Sequence, residues 1–91
     1  MSRSDEAILA NYLADGKLEV VPRKRSRKLI VLRWLVQRFE PGRRYTESEV
    51  NQIIAEVHPD FATLRRELYD AYLLDREDGV YWRHDDSVAR P

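Results

Sequence analysis

The stretch from Thr46 to Arg83 restricts the possible folds most, because it marks its own element boundaries. Thr46-Glu47-Ser48-Glu49 has the spacing of a capping box, in which Thr46 caps a helix and Glu49 reaches back to the cap. Val50, Ile53, Ile54 and Val57 follow at the i, i+3, i+4, i+7 spacing of one helix face. His58-Pro59-Asp60 then interrupts, since a residue before proline leaves the helical region and Asp60 can cap a new helix. That helix is expected to turn Phe61, Leu64, Leu68 and Ala71 or Tyr72 inward, and to leave Thr63, Arg65, Arg66 and Tyr69 on the surface. Asp78-Gly79, between Leu73-Leu74-Asp75 and Val80-Tyr81-Trp82-Arg83, is a strong hairpin signal. Two helices joined by a short turn and followed by a hairpin form the pattern of a helix-turn-helix with a wing.

Upstream, the spacing predicts a helix from about Arg25 to Phe39. Leu29, Ile30, Val31, Leu32, Trp34, Leu35, Val36 and Phe39 cover more than one stripe of it, so it is expected to be the central helix with Trp34 in the core. Glu40-Pro41-Gly42 stops it, and Arg43-Arg44-Tyr45 suits a bridge strand. A first helix, capped by Ser4, carries Ile8, Leu9, Tyr12 and Leu13 and is expected to end at Asp15-Gly16. Leu18, Val20 and Val21 read as a short extended segment closed by Pro22. The expected fold is therefore mainly α with a small β-hairpin (α+β): a winged helix-turn-helix with an N-terminal helix and strand extension. In 91 residues this is one domain. Residues 1–22 form the extension, 23–83 the core and 84–91 a polar tail.

Charge is balanced over the whole chain but not along it. Sixteen Lys and Arg face sixteen Asp and Glu. From Lys17 to Arg44, ten cations face two acids; from Tyr45 to Trp82, three cations face nine acids. A run such as Arg23-Lys24-Arg25-Ser26-Arg27-Lys28 repels itself unless phosphate, a partner chain or the protein's own acidic half lies near. Arg23, Lys24, Arg25, Arg27 and Lys28 sit where a helix begins, which favours anions, and five neutralised phosphates would give a log–log salt slope of about −4.5. Arg43 and Arg44 extend this set. Arg65, Arg66 and Thr63 lie on the helix in the recognition position, where arginine reads guanine bidentately. The competing role for Arg65 and Arg66 is an ion pair with Asp70, Glu67 or Glu49 that fixes helix packing. The hairpin tip, Arg76-Glu77-Asp78-Gly79, is too acidic for a wing that grips a minor groove.

Catalytic chemistry finds little support. There is no cysteine, hence no thiol nucleophile, disulfide or cysteine-based zinc site. His58 and His84, even with Asp60, Asp85 and Asp86, do not make a defined metal set. Three dispersed glycines cannot build a phosphate loop. No enzyme activity and no cofactor are expected. No apolar run approaches the ~20 residues that span a bilayer, and the N-terminus lacks a secretory pattern, so a cytoplasmic protein without a membrane partner is expected.

Asp15 to Asn51, His58 to Glu77 and Val80 to Arg83 together resemble the bacterial DUF2087 domain, over most of the chain. The strings F-E-P-G-R-x-Y-T-E-x-E-V-N and D-x-x-x-L-R-R-E-L carry the resemblance. It implies a winged-helix-like domain of the kind found in proteins described as transcription regulators. Two functions follow as expectations. One is binding of double-stranded DNA, with a dimer needed for useful affinity, because one small module buries roughly 600–1,000 Å² on DNA. The other is a protein-interaction module, a homodimer or a regulator subunit, in which the basic segment of one copy meets the acidic half of another.

Overall fold

The computed structural model describes residues 2–84. It is an α+β fold of four helices and two small antiparallel sheets. The chain begins with α1 (Arg3–Ala10), then a short hairpin of β1 (Leu13–Ala14) and β2 (Lys17–Leu18). Helix α2 (Arg25–Val36) follows, then β3 (Arg44–Thr46), α3 (Glu47–Ala55), α4 (Phe61–Asp70), β4 (Leu74–Glu77) and β5 (Val80–Arg83). Strand β5 lies between β3 and β4, both antiparallel to it.

Local chemistry accounts for most boundaries from Arg25 onward. Thr46 Oγ1 accepts from Glu49 N–H at 3.1 Å, and Glu49 Oε1 accepts from Thr46 N–H at 2.8 Å, completing the capping box. These hydrogen bonds to its charged form hold the Glu49 carboxyl below its ordinary pKa, chiefly through the Thr46 N–H. Asp60 caps α4 by accepting from Thr63 N–H at 3.4 Å. Asp78 and Gly79 both have positive φ, 51° and 78°, as a two-residue turn between twisted strands requires. Helix α2 is central: Ile30, Val31, Leu32, Leu35 and Val36 are all buried. It ends at Val36, before Phe39, because Arg38 and Phe39 N–H turn back to Leu35 and Val36 with i→i−3 bonds. Phe39 still reaches the core, packed edge-on against Tyr45 at 5.2 Å between ring centres.

The N-terminal region departs from expectation. Ser2, not Ser4, caps α1, accepting from Asp5 N–H at 3.1 Å. The helix stops at Ala10, and Asp15-Gly16 is not its end but the turn of the β1–β2 hairpin, with φ of 54° and 75°. The same dipeptide therefore makes the same turn twice in this chain. Of the expected Leu18–Val21 segment only Leu18 lies in a strand, β2, which pairs with β1 and stays separate from the three-stranded sheet. Leu18 is buried and its N–H donates to Val57 C=O at 2.9 Å, tying the extension to the end of α3. Leu9 brings α1 into the same core.

Two aromatic residues, Phe61 and Trp34, also differ from their expected places, and of Ala71 and Tyr72 it is Ala71 that turns inward. Phe61, at the first position of α4, is an exposed residue, and Tyr72 projects into solvent at 78 % exposure. Helix α4 buries Leu64 and Leu68, with Ala71 packed against the core. Trp34 is half-buried, packed on the core by one side and under the Arg38 guanidinium by the other, 5.6 Å from the ring centre. Among the described residues, no helix is long and apolar enough to cross a membrane. Of the expected polar tail, 85–91 lie outside the described residues, while His84 is held by backbone and side chain. Its N–H donates to Leu73 C=O and its Nδ1 lies 2.9 Å from Asp75 Oδ2.

Candidate nucleic-acid interface

Helix α2 starts in a way that is electrostatically unfavourable for the protein alone. Lys24 occupies the N-cap with extended backbone and contributes no capping hydrogen bond, and the first turn contains no acid. The positive end of the helix dipole is thus surrounded by like charge rather than by the acids that usually stabilise it. Arg23, Lys24, Arg25 and Arg27 are exposed, and none of them makes an ion pair among the described residues. Buried Pro22, immediately upstream, fixes where this segment leaves the core. An anion placed here meets free helix N–H groups and four cations together.

Lys28 is different. Its Nζ lies 2.9 Å from Glu67 Oε1 on α4, with both side chains mostly shielded. Glu67 Oε2 is buried without a hydrogen-bond partner among the described residues. Beside this pair a cleft of about 170 Å³, lined by Arg25, Leu29, Leu32, Asp70 and Ala71, separates the start of α2 from the second half of α4.

On α4, sequence neighbours take opposite roles. Arg65 points inward, with Nη1 hydrogen-bonded to Asn51 Oδ1 on α3 and Nε 3.8 Å from Glu47 Oε1. Glu47 Oε1 also accepts from the Tyr81 hydroxyl at 3.0 Å, so Arg65 joins α4, α3 and β5. Burial, reinforced by that bond to Glu47, pushes the Tyr81 hydroxyl above its ordinary pKa. Arg65 is a packing residue, though its partners are Asn51 and Glu47 rather than Asp70, Glu67 or Glu49. Arg66 is exposed and makes no ion pair among the described residues. Thr63 is exposed as well, its N–H taken by Asp60.

Arg43 and Arg44 are exposed at the start of β3, away from the α2 segment in sequence. Arg43 lies 4.0 Å from Glu49 and over the Tyr45 ring, and Arg44 stacks over Trp82 at 4.5 Å. At the hairpin, Arg76 lies over Tyr81, leaving Glu77 and Asp78 exposed near the turn. His58 Nδ1 accepts from Asp60 N–H at 3.0 Å, serving the turn before α4. Among the described residues, no group of three His, Cys, Asp or Glu side chains is placed to hold a metal ion.

Sequence reasoning did not find the groove between α4 and the hairpin, about 450 Å³, with Tyr69, Tyr72 and Trp82 around it and Asp70, Asp75 and Glu77 among its walls. The acidic excess of 45–82 was visible, but its concentration beside three aromatic rings depends on how β4 returns along α4.

These features define a small α+β domain with a basic helix entry on one element and an acidic, aromatic groove on others. Residues 17–83 match the model of DUF2087, described as an uncharacterized protein conserved in bacteria, and the chain belongs to that family. No curated protein and no solved structure matches the chain.

Proposed function

We propose that this chain is a winged helix-turn-helix protein of the transcription-regulator type that binds double-stranded DNA in the cytoplasm, and that it is not an enzyme. The order α2, β3, α3, α4 and a β4–β5 hairpin, with β3 pairing to β5, supports the winged-helix reading. The observation that carries the DNA reading is the α2 entry: four exposed cations without an ion-pair partner among the described residues, at a helix start with no side-chain cap and no acid in its first turn. Arg23, Lys24, Arg25 and Arg27 take phosphates. Arg66 and Thr63, on the exposed face of α4, approach the groove, and Arg43 and Arg44 flank the contact. Lys28 and Arg65 support the fold, since internal partners already neutralise them. The acidic hairpin tip stays off the duplex.

Fluorescence anisotropy of a labelled duplex tests this with an Arg23→Ala/Arg27→Ala variant. Both side chains are exposed, so folding is unaffected, while the log–log salt slope becomes shallower by about 2. An unchanged affinity and slope would contradict the assignment.

A further inference from the structure

We propose that the groove between α4 and β4 is a docking site for the Arg23–Arg27 segment of a second copy of this chain. The groove combines the two features that hold guanidinium and ammonium groups. Tyr69 and Tyr72 offer ring faces and Asp70 and Glu77 offer carboxylates, beside Trp82, which already carries Arg44, and Asp75, which already meets His84 Nδ1. Its lining includes one cation, Arg76, which already lies over Tyr81. Cations stack on aromatic faces elsewhere in this molecule, as Arg44 does on Trp82 and Arg43 on Tyr45.

Tyr72 points to an occupant. It sits just past the C-cap of α4 with φ of 60°, a left-handed conformation that glycine or asparagine adopts at much lower cost. That conformation closes the helix: Leu73 N–H returns to Leu68 C=O and Tyr72 N–H to Tyr69 C=O, both at 3.0 Å, which leaves Tyr72 78 % exposed. An exposed aromatic ring beside acids is a surface on which a guanidinium can stack.

Arg23, Lys24, Arg25 and Arg27 have no ion-pair partner among the described residues of their own chain. Asp70 borders both the groove and the cleft beside Arg25, so donor segment and acceptor groove are neighbours on one surface. A twofold axis through that surface seats each segment in the other copy's groove, which closes the assembly as a dimer instead of an open chain. The docking does not depend on the DNA reading. If both hold, self-association covers the phosphate-binding cations, and DNA and the second copy compete.

Sedimentation analysis at about 50 and 300 mM salt tests the docking, with a dimer expected at low salt and a Kd at least about tenfold weaker at high salt. Tyr72→Gly suits the local backbone, so it should melt no lower than wild type, yet sediment as a monomer. Asp70→Lys/Glu77→Lys and Arg23→Glu/Arg27→Glu should each be monomeric alone and form a heterodimer when mixed. If the first of these fails to fold, Glu77→Lys alone replaces it. A monomer at about 200 µM in low salt overturns the proposal, as does a dimer indifferent to these variants. So does an oligoarginine peptide that binds the groove of a chain that never self-associates. Tyr72→Gly leaves the Arg23–Arg27 cations uncovered, so it should bind duplex DNA at least as tightly as wild type, and a failure of the DNA reading is seen separately.

Discussion

At the scale of single residues, Arg65 and Arg66 show how a helix divides the work of adjacent cations. One step along α4 turns the side chain by about 100°, enough to carry Arg65 against Asn51 and Glu47 while Arg66 faces solvent. Composition alone cannot separate the two, because the choice depends on which face Leu64 and Leu68 bury. Trp34 teaches a related lesson. Its place in an almost wholly apolar run suggested a core residue worth about 3–5 kcal/mol, but it lies half-buried under Arg38. Trp34→Ala should therefore cost only about 1–2 kcal/mol, measured as a lower urea midpoint with an unchanged m-value. A loss above about 3 kcal/mol would mean that the indole is fully enclosed.

At the scale of elements, legibility followed the strength of the local chemistry. The Thr46–Glu49 capping box, the Asp60 cap and the Asp78-Gly79 turn were readable because each rests on hydrogen bonds or φ values between near neighbours. Asp15-Gly16 carried the same turn signal, yet helical spacing through Leu13 outweighed it; two-residue strands leave too little alternation to register. The α2 start is the element most at odds with helix stability. Lys24→Asp should add the missing cap and a favourable charge on the dipole, stabilising the fold by about 1 kcal/mol in chemical denaturation. The same change should weaken DNA binding, a trade between stability and function. A variant no more stable than wild type would show that the N-terminus of α2 is already satisfied.

At the scale of the whole molecule, the central arrangement is the separation of charge in a chain with no net charge. The sequence showed the two blocks; the fold decides which charges cancel internally. Lys28 and Arg65 are neutralised across helix contacts, while Arg23, Lys24, Arg25, Arg27 and Arg66 are left exposed and unpaired among the described residues. Sheet order β3-β5-β4 was foreshadowed only by the bridge strand and the hairpin, because pairing between distant strands depends on how the helices between them pack. The candidate interface was legible as a basic segment, but its exclusion of Lys28 and the groove beside it were not. The most direct test is the salt dependence of wild-type binding to a random-sequence duplex between about 50 and 200 mM salt. Four phosphate contacts from the α2 entry predict a log–log slope near −3.6, shallower than five would give. Absence of binding at the lower salt, or a slope near zero, would contradict the account.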